Sequence, residues 1–233
     1  MIVLGMDASS ESCAVALYSE NGLLSEYTLS GGKNHSVRLV AMIEEMLSEA
    51  GLSFADIDVY ACGVGPGSFT GVRIGVATAK AFAQSHNKPM VAVSSLLALS
   101  ENIRAYPGIR VAAAFARADE LFCAAYDADG KEILAPDVLT VSELCDFLQG
   151  KDCLLCGNGA EMFATEIMEK TGGKSQIARG SSHILRGGAV AELGYQMSQK
   201  EEFCTYEELL PVYLRVSQAE REYAEKHGQA PLK

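Results

Sequence analysis

The chain is short of positive charge: 19 Lys+Arg stand against 30 Asp+Glu in 233 residues, a formal net charge of −11. Duplex affinity comes largely from Lys and Arg neutralising phosphates, so the chain is a poor nucleic-acid binder by itself, and docking on an anionic membrane is disfavoured for the same reason. Charged residues of both signs make up only 21%, while 48% are hydrophobic, which excludes an intrinsically disordered chain. No run approaches the roughly 20 apolar residues that a membrane span needs. The start, Met1-Ile2-Val3-Leu4-Gly5-Met6-Asp7, has no basic region ahead of its apolar run, so no signal peptide is expected and a cytoplasmic location is.

Catalytic constellations are equally thin. The four histidines, His35, His86, His183 and His227, never fall three or four apart, which removes the simplest helical metal site. No serine or cysteine carries a local nucleophile signature. The seven cysteines are odd in number, scattered and mostly flanked by apolar residues, as reduced buried thiols are. Cys153 and Cys156 form a single CxxC in the apolar run Cys153-Leu154-Leu155-Cys156-Gly157, with no second CxxC and no spaced histidine to complete a zinc site.

What is present is α/β grammar. Ile2 to Asp7 and Cys13 to Tyr18 read as a hairpin, and the turn Glu20-Asn21-Gly22 leads into a third strand from Leu23 to Leu29. Asn34 or Ser36 caps a helix whose residues Leu39, Met42, Ile43, Met46, Leu47 and Ala50 recur at helical spacing. A strand Val59–Val64, a helix Thr70–Ser85, a strand Met90–Val93 and a helix Ser94–Asn102 complete a βββαβαβα order, which predicts a mixed sheet with helices on both faces. The grammar restarts after Tyr106-Pro107-Gly108, with strands Arg110–Ala116 and Leu121–Asp127, a helix Ser142–Leu148, a strand Cys153–Cys156 and helices near Glu161–Thr171 and Leu185–Lys200. Two packed halves, residues 1–105 and 106–233, are expected, without enough sequence identity between them to read a repeat. The charged stretch Gln218–Lys226 reads as a solvated helix-prone tail.

The most unusual segment is Gly65-Pro66-Gly67-Ser68-Phe69-Thr70-Gly71-Val72-Arg73-Ile74-Gly75. A glycine-rich turn at a helix start exposes backbone N–H groups to an anion, yet the spacing is GxGxxxG and no Gly-Lys-Ser/Thr follows, so it is neither familiar phosphate loop. Gly65, Gly67 and Ser68 are its candidate phosphate contacts, with Asp7 and Ser9 at the end of the first strand, where an acid either caps a turn or holds a metal-bound phosphate. Gly71, Gly75, Ala79 and Ala83 fall four apart, a ridge without side chains that serves close packing either on the protein's own sheet or on a partner helix. The earlier helix supports the partner, because Val37, Leu39, Val40, Ala41, Met42, Ile43, Met46 and Leu47 cover more than one face. Gly157-Asn158-Gly159 is a strand-to-helix turn or a close approach to a ligand.

Met6-Asp7-Ala8-Ser9, the Gly65–Gly75 segment and Leu210-Pro211-Val212-Tyr213-Leu214-Arg215 followed by Ala219-Glu220 resemble the bacterial TsaB (YeaZ) family over essentially the whole chain. The resemblance implies an actin/Hsp70-like (ASKHA) fold of two RNase-H-like subdomains. It implies a non-catalytic role in threonylcarbamoyl modification of the tRNA adenosine beside the anticodon. The implied partners are a TsaD-type paralogue, which is the catalytic transferase, and a TsaE-type ATPase. A homodimer is implied for the chain alone, with tRNA contacted mainly through the partner. No cofactor is expected in the chain itself, ATP or ADP being reserved for a subunit junction. Where the paralogue has an HxxxH iron site this chain has Ser95 and Leu99, which leaves a metallopeptidase without ligands. The family's interface uses the first two helices, which here gives Val37, Val40, Ala41, Leu47, Phe69, Thr70, Gly71, Gly75 and Ala79 as interface candidates. A free-standing ASKHA-type phosphotransferase or ATPase is the competing expectation.

Overall fold

The computed structural model describes residues 1–31 and 35–215. The expected cap Asn34, the pair Ala219-Glu220, His227 and the tail Gln218–Lys226 lie outside the described residues.

The first sheet is built from β1 (Ile2–Asp7), β2 (Ser12–Ser19), β3 (Gly22–Ser30), β4 (Val59–Gly63) and β5 (Met90–Val93), in the order β3-β2-β1-β4-β5. β1, β2 and β3 run antiparallel in sequence, and β4 and β5 extend the sheet parallel to β1. β1, β2 and β4 are almost wholly buried, which is why they read as unbroken apolar runs and not as alternating ones: helices cover both faces of this sheet. Those helices are α1 (His35–Glu49), α2 (Phe69–His86), α3 (Ser95–Ser100) and, from the far end of the chain, α7 (Gly187–Gln199).

The second sheet comprises β6 (Ile109–Arg117), β7 (Glu120–Tyr126), β8 (Glu132–Thr140), β9 (Cys153–Cys156) and β10 (Ser175–Ile177), with α4 (Val141–Leu148), α5 (Asn158–Met162) and α6 (Ala164–Lys170) between them. Its order β10-β9-β6-β7-β8, read from the β8 edge, is the first sheet's plan again: third, second, first, fourth, fifth strand of its own half. The halves are therefore a structural repeat, although their sequences do not show it.

Five layers result. α1 and α2 cover the outer face of the first sheet, with Leu39, Ile43, Met46, Val72 and Val76 against Leu4, Met6 and Tyr60. α3 and α7 fill the space between the sheets, where Leu96, Leu99, Val190 and Leu193 meet Val3 and Val91 on one side and Ala112 and Phe122 on the other. α4, α5 and α6 cover the remaining face through Leu144, Leu148, Ala160 and Ile167. Much of the small-residue content is spent where α7 touches the first sheet. A Cβ on Gly5 would lie 2.4 Å from the Ala191 nitrogen, and one on Gly187 would lie 2.4 Å from the Val15 carbonyl carbon. A cut at residue 105/106 would separate α7 from the sheet that it covers.

Three elements differ from expectation. β8 and β10 stand where the sequence predicts no strand: β8 is an edge strand broken by register shifts and carrying Pro136, which an edge tolerates, and β10 has only three residues. The helix expected over Glu161–Thr171 is two helices, α5 and α6, separated at Phe163, whose ψ of 19° leaves the helical range.

Candidate functional site

Asp7 ends β1 and is wholly buried. One carboxylate oxygen accepts the backbone N–H and the hydroxyl of Ser9, each at 2.7 Å, the local turn that aspartate forms two residues on. The other accepts the Ser95 hydroxyl at 2.6 Å. Ser95, the first residue of α3, in turn accepts the Gly65 N–H at 3.1 Å and donates its own N–H to the Gly65 carbonyl at 3.0 Å. Gly63 leaves room for the carboxylate, since a Cβ there would stand 1.8 Å from its Oδ2 atom. Burial first, and the Asp7 charge second, push the Cys13 thiol up to about 11 and raise Cys62 as well.

The glycine-rich loop closes over this carboxylate. Ser68 donates its N–H to the Ser9 carbonyl at 2.6 Å and caps α2 by accepting the Gly71 N–H at 3.3 Å. A Cβ on Gly67 would lie 2.3 Å from the Ser9 carbonyl oxygen and one on Gly71 1.9 Å from that of Ala8. Gly65, at φ +96°, occupies backbone space that favours glycine. The five candidate phosphate contacts, Asp7, Ser9, Gly65, Gly67 and Ser68, thus do come together, and the bonds just described run among Asp7, Ser9 and Ser68 or to Ser95 and Gly71 of the same chain. The loop's glycines serve close approach to the β1–β2 turn.

The glycine ridge likewise packs inward. Gly71, Gly75 and Ala79 are buried on the inward face of α2, beside Ala8 and Cys62, so the protein's own sheet takes the ridge. Leu47 is likewise in the core, 3% exposed. These four candidates offer a partner no side-chain surface. Val37, by contrast, is 72% exposed, Ala41 and Thr70 are exposed, and Val40 and Phe69 are half-buried. The outward face of α2 carries Thr70, Arg73, Ala77 and Ala81, of which sequence reasoning picked only the first.

A strap from the C-terminal motif crosses the start of α2. Val212 donates its N–H to the Val64 carbonyl at 2.8 Å, and the Tyr213 ring lies 4.7 Å from that of Phe69. Arg73 lies 3.8 Å over the Phe69 ring and donates its Nε–H to the Tyr213 hydroxyl at 2.8 Å. Arg215 pairs with Glu120 of β7 at 3.2 Å, so the strap also reaches the second sheet.

A cleft of about 1110 Å³ opens beside these elements, lined by Ser9, Ser68 and Tyr213 from one side and by Phe115, Phe122 and Asn158 from the other. The turn at Gly157–Gly159 belongs to its wall and is packed by the chain itself: a Cβ on Gly157 would meet the Ala113 carbonyl oxygen at 2.3 Å, and Asn158 accepts the Phe115 N–H at 2.9 Å. In the CxxC, strand alternation sends Cys153 to one face of the sheet and Cys156 to the other, where its thiol reaches the Leu99 carbonyl at 3.4 Å. Two thiols on opposite faces share neither a disulfide nor a metal.

A family model described as TsaD: tRNA N6-adenosine threonylcarbamoyltransferase matches residues 22–223. The tRNA threonylcarbamoyladenosine biosynthesis protein TsaB of Bacillus subtilis (strain 168) is 30% identical over 230 residues, 97% of this chain and 99% of that protein. The chain belongs to the TsaB (YeaZ) family. Among solved structures, YeaZ from Pseudomonas aeruginosa is similar with a TM-score of 0.76 at 27% identity, over 91% of this chain and 99% of that one. The ROK hexokinase from Thermus thermophilus, at 12% identity, shares the fold alone with a TM-score of 0.53, over 85% of this chain and 100% of that one. The two-sheet architecture of this TsaB-family chain is therefore actin/Hsp70-like. Among the described residues no helix is long and apolar enough to cross a membrane.

Proposed function

We propose that the chain serves tRNA threonylcarbamoyladenosine biosynthesis as a non-catalytic partner subunit. It pairs with a TsaD-type transferase through α1 and the outward face of α2, is joined by a TsaE-type ATPase, and leaves most tRNA contact to the transferase. Alone, it forms a homodimer through the same face. ATP or ADP, where one binds, lies at a subunit junction.

The observation that supports this reading most is the binding of Asp7 into its own surroundings. The acid that a phosphotransferase would direct at a metal-bound phosphate is buried beneath the turn and held by Ser9 and Ser95 on opposite carboxylate oxygens. Ser95 stands where the resemblance places a metal-binding histidine in the paralogue, and here that side chain is a structural donor. The net charge of −11 supports delegation of the RNA to the partner.

The inter-sheet cleft favours a second reading, an ASKHA-type phosphotransferase or ATPase, because it is large enough for a nucleotide. Nucleotide hydrolysis and peptide cleavage by the isolated chain separate the two. The partner-subunit reading expects neither, and robust turnover abolished by Asp7→Ala would establish the second reading in its place.

A further inference from the structure

We infer that Arg73 is the point at which the outward face of α2 takes a carboxylate side chain from a partner protein. This rests on the proposed pairing with a TsaD-type subunit and names the chemistry of its anchor.

In an acidic chain most described arginines already have a carboxylate: Arg104, Arg110, Arg117, Arg186 and Arg215 each pair with a glutamate. Arg73 is exposed and is held by aromatic groups instead. Its guanidinium lies 3.8 Å over Phe69 and 5.6 Å from the Tyr213 ring centre, and its Nε–H is fixed by the Tyr213 hydroxyl. Among the described residues neither of its terminal nitrogens has a hydrogen-bond partner. A long side chain of this kind normally surrenders rotamer freedom when it binds. Here stacking and the Nε bond have already removed much of it, which leaves the two terminal nitrogens of an exposed, planar guanidinium to bind.

The surroundings favour a protein over an RNA phosphate. Tyr213 beside it and Leu210 and Val212 on the same strap are 41%, 66% and 41% exposed, and Ala77 and Ala81 continue the α2 face without charge. An arginine and a tyrosine within an apolar border is the composition of a protein–protein anchor. Nucleic-acid affinity needs several cations acting together.

The test titrates the full chain and its Arg73→Gln and Arg73→Lys variants against the TsaD-type transferase, with a melting curve for each. Both variants stay folded, with a small drop in melting temperature from the lost Phe69 stack and Tyr213 bond. Arg73→Gln weakens binding about ten- to a hundredfold and flattens its salt dependence, and Arg73→Lys recovers only part, because an ammonium cannot present the fork. A carbodiimide added to the Arg73→Lys complex joins the new amine to an Asp or Glu of the transferase, read as a cross-linked peptide by mass spectrometry. Wild-type affinity in Arg73→Gln overturns this inference and leaves the pairing standing. Failure of the wild-type chain to bind overturns both.

Discussion

The Ser95 hydroxyl donates to the Asp7 carboxylate across 2.6 Å, joining the end of β1 to the start of α3 in a place where neither side chain reaches solvent. The same serine oxygen accepts the Gly65 N–H, so one residue ties together the first strand, the glycine-rich loop and the helix of the middle layer.

Ser95→Ala therefore removes a donor from a buried carboxylate and an acceptor from a buried N–H together. The expected loss is about 2–3 kcal/mol of stability, read from denaturant midpoints at unchanged slope. Transferase binding by the folded variant should remain near wild type, because Ser95 is far inside the surface that α1 and α2 present.

Two glycines of one helix should respond in opposite ways. Gly71→Ala places a methyl group 1.9 Å from the Ala8 carbonyl oxygen and should cost about 1–3 kcal/mol, as overpacking does. Gly75→Ala meets nothing nearer than 3.7 Å and gains helix propensity, so it should be neutral or stabilising by up to about 1 kcal/mol. Thermal melting of the two variants side by side distinguishes this account from one in which both glycines face a partner.

The thiols should be silent towards a disulfide reagent near pH 8. Burial pushes Cys13 and Cys153 up to about 11 and Cys123 and Cys156 up to about 12. At a value of 11 the reactive thiolate is roughly two hundred times scarcer at pH 8 than for an unperturbed cysteine near 8.5. Reactivity should climb with pH, and Cys204, the one cysteine not fully buried, should label first. Rapid labelling of Cys153 and Cys156 in the native protein would contradict the burial of the CxxC.

Local patterns carried much of the fold. The apolar runs of β1, β2 and β4 and the helical spacing of α1 and α2 are strong enough to place those elements within a residue or two. Weakly marked edges were not legible: β8 alternates poorly around Pro136, and β10 is too short to show a period. The direction of the Gly71–Ala83 ridge was not legible either, because a stripe of small residues fits a sheet of the same chain as well as it fits a partner helix. Only the position of the Ala8 carbonyl decides it. At the site, Asp7 and the loop were visible as motifs, whereas Ser95 as the hydroxyl donor to Asp7, and Tyr213 as the partner of Arg73, come from 88 and 140 residues away. The structural repeat is hidden for a similar reason, since strand order survives when side chains do not.

The outward face of α1 offers a clean probe of the pairing. Val37→Glu alters a side chain that is 72% exposed, so folding should change by no more than about 0.5 kcal/mol. Transferase binding should fall at least about tenfold, measured by calorimetric titration, since a charge would be buried against an apolar face.

The most direct measurement is the mass in solution of this chain mixed with a purified TsaD-type transferase, by light scattering after size exclusion, with and without ATP. The account predicts a single species at the summed mass of the two subunits, or a multiple of it, which Val37→Glu disperses while leaving both proteins folded. Two separate peaks at micromolar concentration, with ATP and without, would contradict it.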